Sequence, residues 1–353
     1  MRPASESELS EIILGAQALH IQGGGTRSVG HAVGEVLATS GLSGIELYEP
    51  GALTLVARSG TPLAEIEALL ASERQRLAFE VPDMRALLGR QGASTIGGVV
   101  ASNASGPRRV QVGACRDALL GVRFVDGRGD VIKNGGRVMK NVTGYDLVKL
   151  MAGSKGALGV LSEISFKVQA MPEASVALVA ERDVPQGLAD LRAALGSPYD
   201  ISGAAWAQGR AMIRLEGMAG SVAYRAGKLQ DLLGFKQAEA DWAAIRDVTA
   251  FAARHGAVWK LSVKPTEAAA LIHRLELEAI CDWGGGLVWL LDPAGTADVR
   301  AAVAGFGHAT LMRTIPGMIQ PTFQPEAPAV ASLTAGLRAK FDPRGVFNPG
   351  MMG

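Results

Sequence analysis

Fifteen of the chain's 45 glycines fall between Gly89 and Gly159, and three more stand side by side at Gly23-Gly24-Gly25. In 353 residues that total is nearly twice the usual ~7%. Apolar segments interrupt the glycines and no G-X-Y period runs through them, so low-complexity sequence does not explain them. Main chain that turns tightly, or that passes close to a ligand, does.

Three clusters stand out. The first, Gln22-Gly23-Gly24-Gly25-Thr26-Arg27-Ser28, follows a short strand expected around His20 and Ile21. Successive main-chain N–H groups there can converge into an anion-binding nest, with hydroxyl donors beside them. A plain tight turn fits the same residues. The lysine and spacing of a P-loop are missing, and no G-x-G-x-x-G opens a helix, so neither a nucleoside triphosphatase nor a Rossmann site is indicated. The second cluster is Gly92-Ala93-Ser94-Thr95-Ile96-Gly97-Gly98, followed by Ala101-Ser102-Asn103-Ala104-Ser105-Gly106. Residues so small bury little apolar area of their own, so a fixed shape needs another surface against them. A large planar or anionic ligand would supply that surface. The third cluster runs from Lys140-Asn141 through Gly144 to Gly153-Ser154 and Gly156-Ala157-Leu158-Gly159-Val160. Each cluster alone is compatible with turn chemistry; three in one domain favour a ligand.

Charge narrows the classes. Lys and Arg total 35 against 34 Asp and Glu, with no basic block, which argues against a nucleic-acid binder. No apolar run reaches the ~18 residues of a membrane helix, and the opening residues read as an ordinary amphipathic helix, so neither a span nor a targeting peptide is expected. Cys115 and Cys281 are too few to ligate an iron–sulfur cluster and suggest no disulfide framework. The expected setting is the cytoplasm, with at most peripheral association at the inner face of the membrane.

Length predicts about two domains. In the first, helices are expected at 7–19, after a Thr61 cap with Pro62 at the first helical position, and at 145–151. Strands are expected at 53–58 and around Ile164, Phe166 and Val168, with a hairpin about Asp126-Gly127-Arg128-Gly129. From about Pro172 strand-like runs (176–179, 203–206, 212–215, 258–263, 287–291, 309–313) alternate with helix-like ones (188–195, 222–233, 266–280, 297–303), a mixed α/β layer. No internal repeat is evident.

Taken in order, Gly23-Gly24-Gly25-Thr26, Pro82-Asp83, Thr95-Ile96-Gly97-Gly98, Arg116-Asp117, Lys140-Asn141-Val142-Thr143-Gly144-Tyr145-Asp146 and Gly156-Ala157-Leu158-Gly159 resemble the FAD-binding domain of the vanillyl-alcohol oxidase superfamily. The tail Phe341-Asp342-Pro343-Arg344-Gly345-Val346-Phe347-Asn348-Pro349-Gly350 resembles that superfamily's C-terminal signature. Ser105-Gly106-Pro107-Arg108-Arg109, Val138-Met139-Lys140-Asn141-Val142, Trp283-Gly284-Gly285 and Gly307-His308-Ala309-Thr310 are similar to segments of the smaller FAD-binding subunits of bacterial glycolate oxidases.

This resemblance, over almost the whole chain, implies an α+β protein of the PCMH-type FAD-binding fold. Two subdomains would clamp the cofactor within residues 1–171, a smaller ferredoxin-like α/β cap would occupy 172–320, and 321–353 would return to the FAD domain. Gln22, Gly23, Gly24, Gly25, Thr26, Arg27 and Ser28 would hold the pyrophosphate. Pro82, Ser94, Gly97, Gly98, Ser102 and Asn103 would line the flavin and ribityl region, and Gly159 and Val160 would approach through extended main chain. Gly92, Thr95, Gly106, Arg108, Asp117, Lys140, Asn141, Gly144 and Asn348 complete the implied cofactor set. Covalent members attach the flavin through a histidine in the first loop; here that loop reads Gly25-Thr26 and His31 lies past it, so non-covalent FAD is expected.

Oxidising a 2-hydroxy acid needs a cation for the carboxylate, a base for the hydroxyl proton and a hydride acceptor. Among five histidines, His308 is the nominee for base, against the ordinary structural role of a single histidine. Lys260, Lys264 and Arg313 are the cations to weigh against plain solvated charges. Relatives with a larger cap carry a histidine-rich motif for a divalent metal; this chain keeps one histidine there, so no metal site is expected. The resemblance implies a subunit whose partners are a larger homologous FAD subunit and an iron–sulfur subunit. The alternatives are a stand-alone 2-hydroxy acid dehydrogenase, an NADPH-dependent enolpyruvate reductase-like flavoenzyme, and a nucleotide-binding regulatory domain.

Overall fold

The computed structural model describes residues 1–137 and 144–351. The helix Glu6–Gly15 begins at Ser5, whose hydroxyl accepts from the Glu8 N–H at 3.1 Å, and it buries Leu9 and Ile13. It stops short of the expected end, because Leu19 opens a strand. That strand, β1 (Leu19–Gln22), pairs in parallel with β2 (Glu35–Ala38). A larger sheet follows: β3 (Ile45–Glu49), β4 (Thr54–Arg58), β5 (Gln75–Leu77), β6 (Leu119–Val125), β7 (Val131–Gly135) and β8 (Val160–Ala170). Its order is β3-β4-β8-β6-β7, with β5 also on β8. The long β8 is its spine, and Ile164, Phe166 and Val168 are fully buried, as their alternation requires. The expected hairpin joins β6 to β7, where the Asp126 carboxylate accepts from the N–H groups of Arg128 and Asp130 at 2.8 and 3.0 Å.

Thr61 does not cap the next helix, Leu63–Ser72; Pro62 stands at that position. The Thr61 hydroxyl instead donates to the Arg58 carbonyl at 2.7 Å and accepts from the Gly44 N–H at 3.0 Å, tying the end of β4 to the residue before β3.

All eight strands of the second large sheet lie after Ala174. They are β9 (Ala174–Glu181), β10 (Gly203–Ala207), β11 (Arg210–Gly217), β12 (Lys236–Gln237), β13 (Ala257–Val263), β14 (Glu278–Asp282), β15 (Leu287–Asp292) and β16 (Gly307–Arg313). Their order, β12-β9-β11-β10-β14-β15-β13-β16, contains the same strand–helix–strand–strand–helix–strand unit twice, joined where β10 meets β14. Each half has the ferredoxin-like order. The repeat escaped sequence inspection because the halves share a strand order and not a residue pattern. The helix expected over 266–280 is also shorter, Ala268–Leu275: Glu276 turns to φ +51 and the chain reverses into β14.

One face of this sheet lies under the four helices Val184–Leu195, Ala219–Leu233, Ala268–Leu275 and Val299–Val303, burying Trp259, Leu261, Leu290 and Leu311. The other face carries Val258, Leu287, Trp289 and Leu291, and meets Met84 and Leu87 from the N-terminal half. Charged side chains lock the halves together. Arg214 on β11 clamps Glu80 through two bonds of 2.8 and 3.0 Å, while Glu216 takes Arg108 at 3.0 Å and Arg76 at 2.8 Å. The C-terminal residues return to the N-terminal half, where Leu19 donates to the Val346 carbonyl and accepts from the Asn348 N–H, each at 2.8 Å. Among the described residues no helix is long and apolar enough to cross a membrane.

Candidate functional site

Two connected spaces lie between these layers. A narrow cleft runs along the first loop and is walled by Gly23, Gly24, Gly25, Thr26, Arg27 and Ser28, by Thr95, Gly97, Gly98 and Ser102, and by Gly159 and Leu161. A chamber of about 700 Å³ opens beneath the second large sheet, bounded by Pro82 and Gly106 on one side and by Lys260, Asp282, Trp289 and His308 on the other. Arg27, Val29, Ser102 and Lys155 border both.

The cleft is made of main chain. A Cβ on Gly24 would lie 1.6 Å from the Ala93 carbonyl oxygen, and one on Gly97 would lie 2.7 Å from the Ser59 carbonyl. Glycine at 24 is therefore required for the first two clusters to close on each other, and at 97 for the second to lie against Ser59. None of the N–H groups of residues 23–28 donates to another group among the described residues. The hydroxyls of Ser59 and Ser154, both in the cleft wall, are buried without a partner among the described residues. Unpaired buried donors are costly, so this wall is complete only with a polar, anionic ligand against it. A dinucleotide's diphosphate and sugar hydroxyls fit that donor set.

Several expected cofactor residues do other work. Gln22 ends β1, and its side chain lies against Gly25. Gly92 is exposed and faces the Gly24 carbonyl. Ser94 accepts from the Arg27 guanidinium at 2.5 Å, which also reaches the Pro82 carbonyl at 3.3 Å, so Ser94 and Pro82 position Arg27. Asn103 accepts from the Arg116 N–H at 3.0 Å and does not face the cleft. Arg108 is buried in the ion pairs between the halves. Asp117 caps its own turn through the Ala114 N–H at 2.7 Å. Gly144 is exposed, with nothing within 4 Å of where a Cβ would sit. Val160 is fully buried in a core with Leu9 and Leu19. Asn348 binds the Ile21 N–H at 2.7 Å and the Lys155 carbonyl at 2.8 Å, so it fastens the cleft from behind. Lys140 and Asn141 lie outside the described residues.

Of the three cations weighed, only Lys260 faces the chamber. Lys264 is exposed, and Arg313 donates to the Gly256, Phe251 and Ala252 carbonyls at 3.0, 3.0 and 3.1 Å. His308 does border the chamber. Sequence reasoning missed Lys155, which sits at φ +53 with its ammonium 5.0 Å from the Phe323 ring centre. A lysine between Gly153 and Gly156 was the available signal. It also missed Asp282, whose carboxyl burial pushes up to about 7 although the Trp283 N–H and Arg214 favour its charged form. Burial, with the charges of Lys155 and Arg109, pulls the Lys260 ammonium down to about 8.

Comparison with known proteins agrees with the cleft. An FAD binding domain model matches residues 1–135. Over 98% of its length the chain is 37% identical to glycolate oxidase subunit GlcE of Escherichia coli (strain K12), covering 95% of that protein. It is 30% identical over 54% of its length to mitochondrial D-lactate dehydrogenase (cytochrome) of Arabidopsis thaliana, covering 33% of it. The fold is that of alkyldihydroxyacetonephosphate synthase, with a TM-score of 0.70 at 15% identity over 99% of this chain and 75% of that one. A main-chain cleft of free amides opening on a chamber, with these matches, defines an FAD-dependent oxidoreductase. Within that class, the chain belongs to the family of the glycolate oxidase subunit GlcE.

Proposed function

We propose that this chain is the FAD-binding subunit of a complex that oxidises glycolate, or another small 2-hydroxy acid such as D-lactate, to the 2-oxo acid. Residues 1–171 hold the cofactor, 172–320 cover the substrate, and 321–353 close the cleft from behind. The observation that carries this reading is the continuity of cleft and chamber through Arg27, Val29, Ser102 and Lys155. A ligand anchored on residues 23–28 thus borders a space large enough for a small acid.

When bound, FAD supplies the acceptor for the hydride on the substrate's hydroxyl-bearing carbon. The chain's own groups hold the acid and take the hydroxyl proton. His308, on the chamber side of β16, is the base for that proton. The cleft wall holds no histidine, cysteine or tyrosine among the described residues, which supports non-covalent FAD.

Electrons then leave through a partner. Cys115 and Cys281 are each fully buried, one in each half, and burial raises both thiols above their ordinary range, so this chain offers no cluster ligands. A separate iron–sulfur subunit, alongside a larger homologous FAD subunit, meets that need. The helix Pro328–Phe341 supports assembly: it has no buried residue, and Leu333 on it is 71% exposed.

The test is to purify the FAD-loaded chain alone and with its partners and to add glycolate or D-lactate without oxygen. Bleaching of this chain's flavin, slowed in His308→Ala, is expected. Absence of bleaching with either acid, in both preparations, overturns the reading.

A further inference from the structure

The chamber wall formed by the second large sheet carries one cation, Lys260, that has no ion pair among the described residues. Lys260 pairs across the sheet with Trp289 on β15 and with Thr310 on β16, and its ammonium lies 5.7 Å from the Trp289 ring centre. It forms no ion pair among the described residues, and the charges that act on it, Lys155 and Arg109, are both positive. The other charges of the chamber, Lys155 apart, are committed. Arg27 is held by Ser94 and Pro82, and Arg246 by two bonds of 2.8 Å to Asp247. Asp282 takes the Trp283 N–H at 2.7 Å two strands away, and Glu326 takes the Thr334 hydroxyl at 3.1 Å. Lys155 borders both spaces from the loop before β8, its ammonium 5.0 Å from the Phe323 ring centre. A half-enclosed ammonium without a counter-ion is unfavourable, and an arriving anion relieves it.

The register supplies the second observation. Lys260 is paired with Thr310, and Ser262 with His308, so Lys260 and His308 are diagonal neighbours on adjacent strands facing one space. Such diagonal positions lie roughly 7–8 Å apart, within reach of one small ligand for a long side chain. A 2-hydroxy acid carries its carboxylate and its hydroxyl on adjacent carbons.

We propose that Lys260 is the counter-ion of the substrate's carboxylate, and that its diagonal placement beside His308 selects small acids with the hydroxyl next to the carboxylate. This rests on the functional reading above.

The experiment measures equilibrium binding of glycolate, acetate and the uncharged analogue glycolamide to the FAD-loaded full chain, as wild type, Lys260→Met and Lys260→Arg. Flavin content and thermal unfolding check that each variant is folded. Wild type is expected to prefer glycolate over glycolamide, and Lys260→Met to erase about 10- to 100-fold of that preference, the range for one charged hydrogen bond. Glycolamide binding stays the same and Lys260→Arg keeps the preference. An unchanged preference in folded Lys260→Met overturns the proposal, as does an absence of carboxylate binding by wild type. Lys260-dependent acetate binding without flavin bleaching by any 2-hydroxy acid sustains the carboxylate subsite and sinks the functional reading instead.

Discussion

In the cleft the working groups are amides of residues 23–28, fixed by contact between two loops of small residues. In the joint between the halves, 134 residues separate Glu80 from Arg214, and the working groups are long charged side chains. The first arrangement tolerates no side chain at Gly24 or Gly97, where a Cβ would meet a carbonyl. The second tolerates many backbones but needs each charge to meet its partner. A change in the cleft should therefore abolish cofactor binding, whereas a change in the joint should cost stability and leave the cleft able to bind.

The largest effect is expected from Gly24→Ala. Its Cβ would sit 1.6 Å from the Ala93 carbonyl, and neither loop can yield without opening the nest. FAD affinity should fall roughly 100-fold or more, as overpacking against main chain costs several kcal/mol. Fluorescence titration of the refolded protein with FAD measures it. Gly98→Ala is the control, since its Cβ would come no closer than 3.4 Å to the Thr95 hydroxyl. Equal losses from both would show that the loop contact is not what fixes the cleft.

Glu216→Gln tests the joint. Burial opposes the charge of Glu216, yet Arg76, Arg108 and Arg214 together hold its carboxyl down to about 2. Removing its charge leaves Arg108 and Arg214 with Glu80 alone and Arg76 with no ion pair among the described residues, at a cost of about 3–5 kcal/mol. Denaturant unfolding should show that loss, with FAD titration of the folded fraction little changed. The sign with pH follows: a carboxyl lowered on folding stabilises fully above its ordinary 4.5, and that stability is lost as pH falls from there toward about 2. The Glu216→Gln unfolding profile should be flatter than wild type over this window. Parallel profiles would mean the ion pairs do not hold the halves together.

What was legible in the sequence follows the same division. Where main chain does the work, glycine and hydroxyl residues cluster locally, so residues 23–28, Gly97, Gly98 and Gly159 were recognisable and do line the cleft. The alternation in β8 and the β6–β7 hairpin were readable for the same local reason. Where side chains do the work across long separations, type and spacing carry no signal. The resemblance placed Arg108 in the cofactor set, but its partners lie at Glu80 and Glu216. Lys260 was indistinguishable from Lys264 until pairing with Trp289 turned it toward the chamber. The repeated half-sheets share an order of strands that no residue pattern records.

Asn103 is the position where these two materials are easiest to confuse, and it carries the smallest expected effect. It lies within the small-residue run, and the family resemblance implied a side chain against the flavin. Instead its carboxamide oxygen accepts from the Arg116 N–H at 3.0 Å, its carbonyl accepts from the Ser105 hydroxyl at 3.3 Å, and its backbone sits at φ +46. Asparagine tolerates that left-handed conformation better than alanine does, and alanine also lacks the acceptor. Asn103→Ala should lower stability by about 1–3 kcal/mol in denaturant unfolding while FAD affinity changes less than about 3-fold. Asn103→Asp keeps the acceptor and should recover most of the stability. A loss of FAD affinity in a variant as stable as wild type would instead put this side chain on the cofactor, and the cleft would no longer be built of main chain alone.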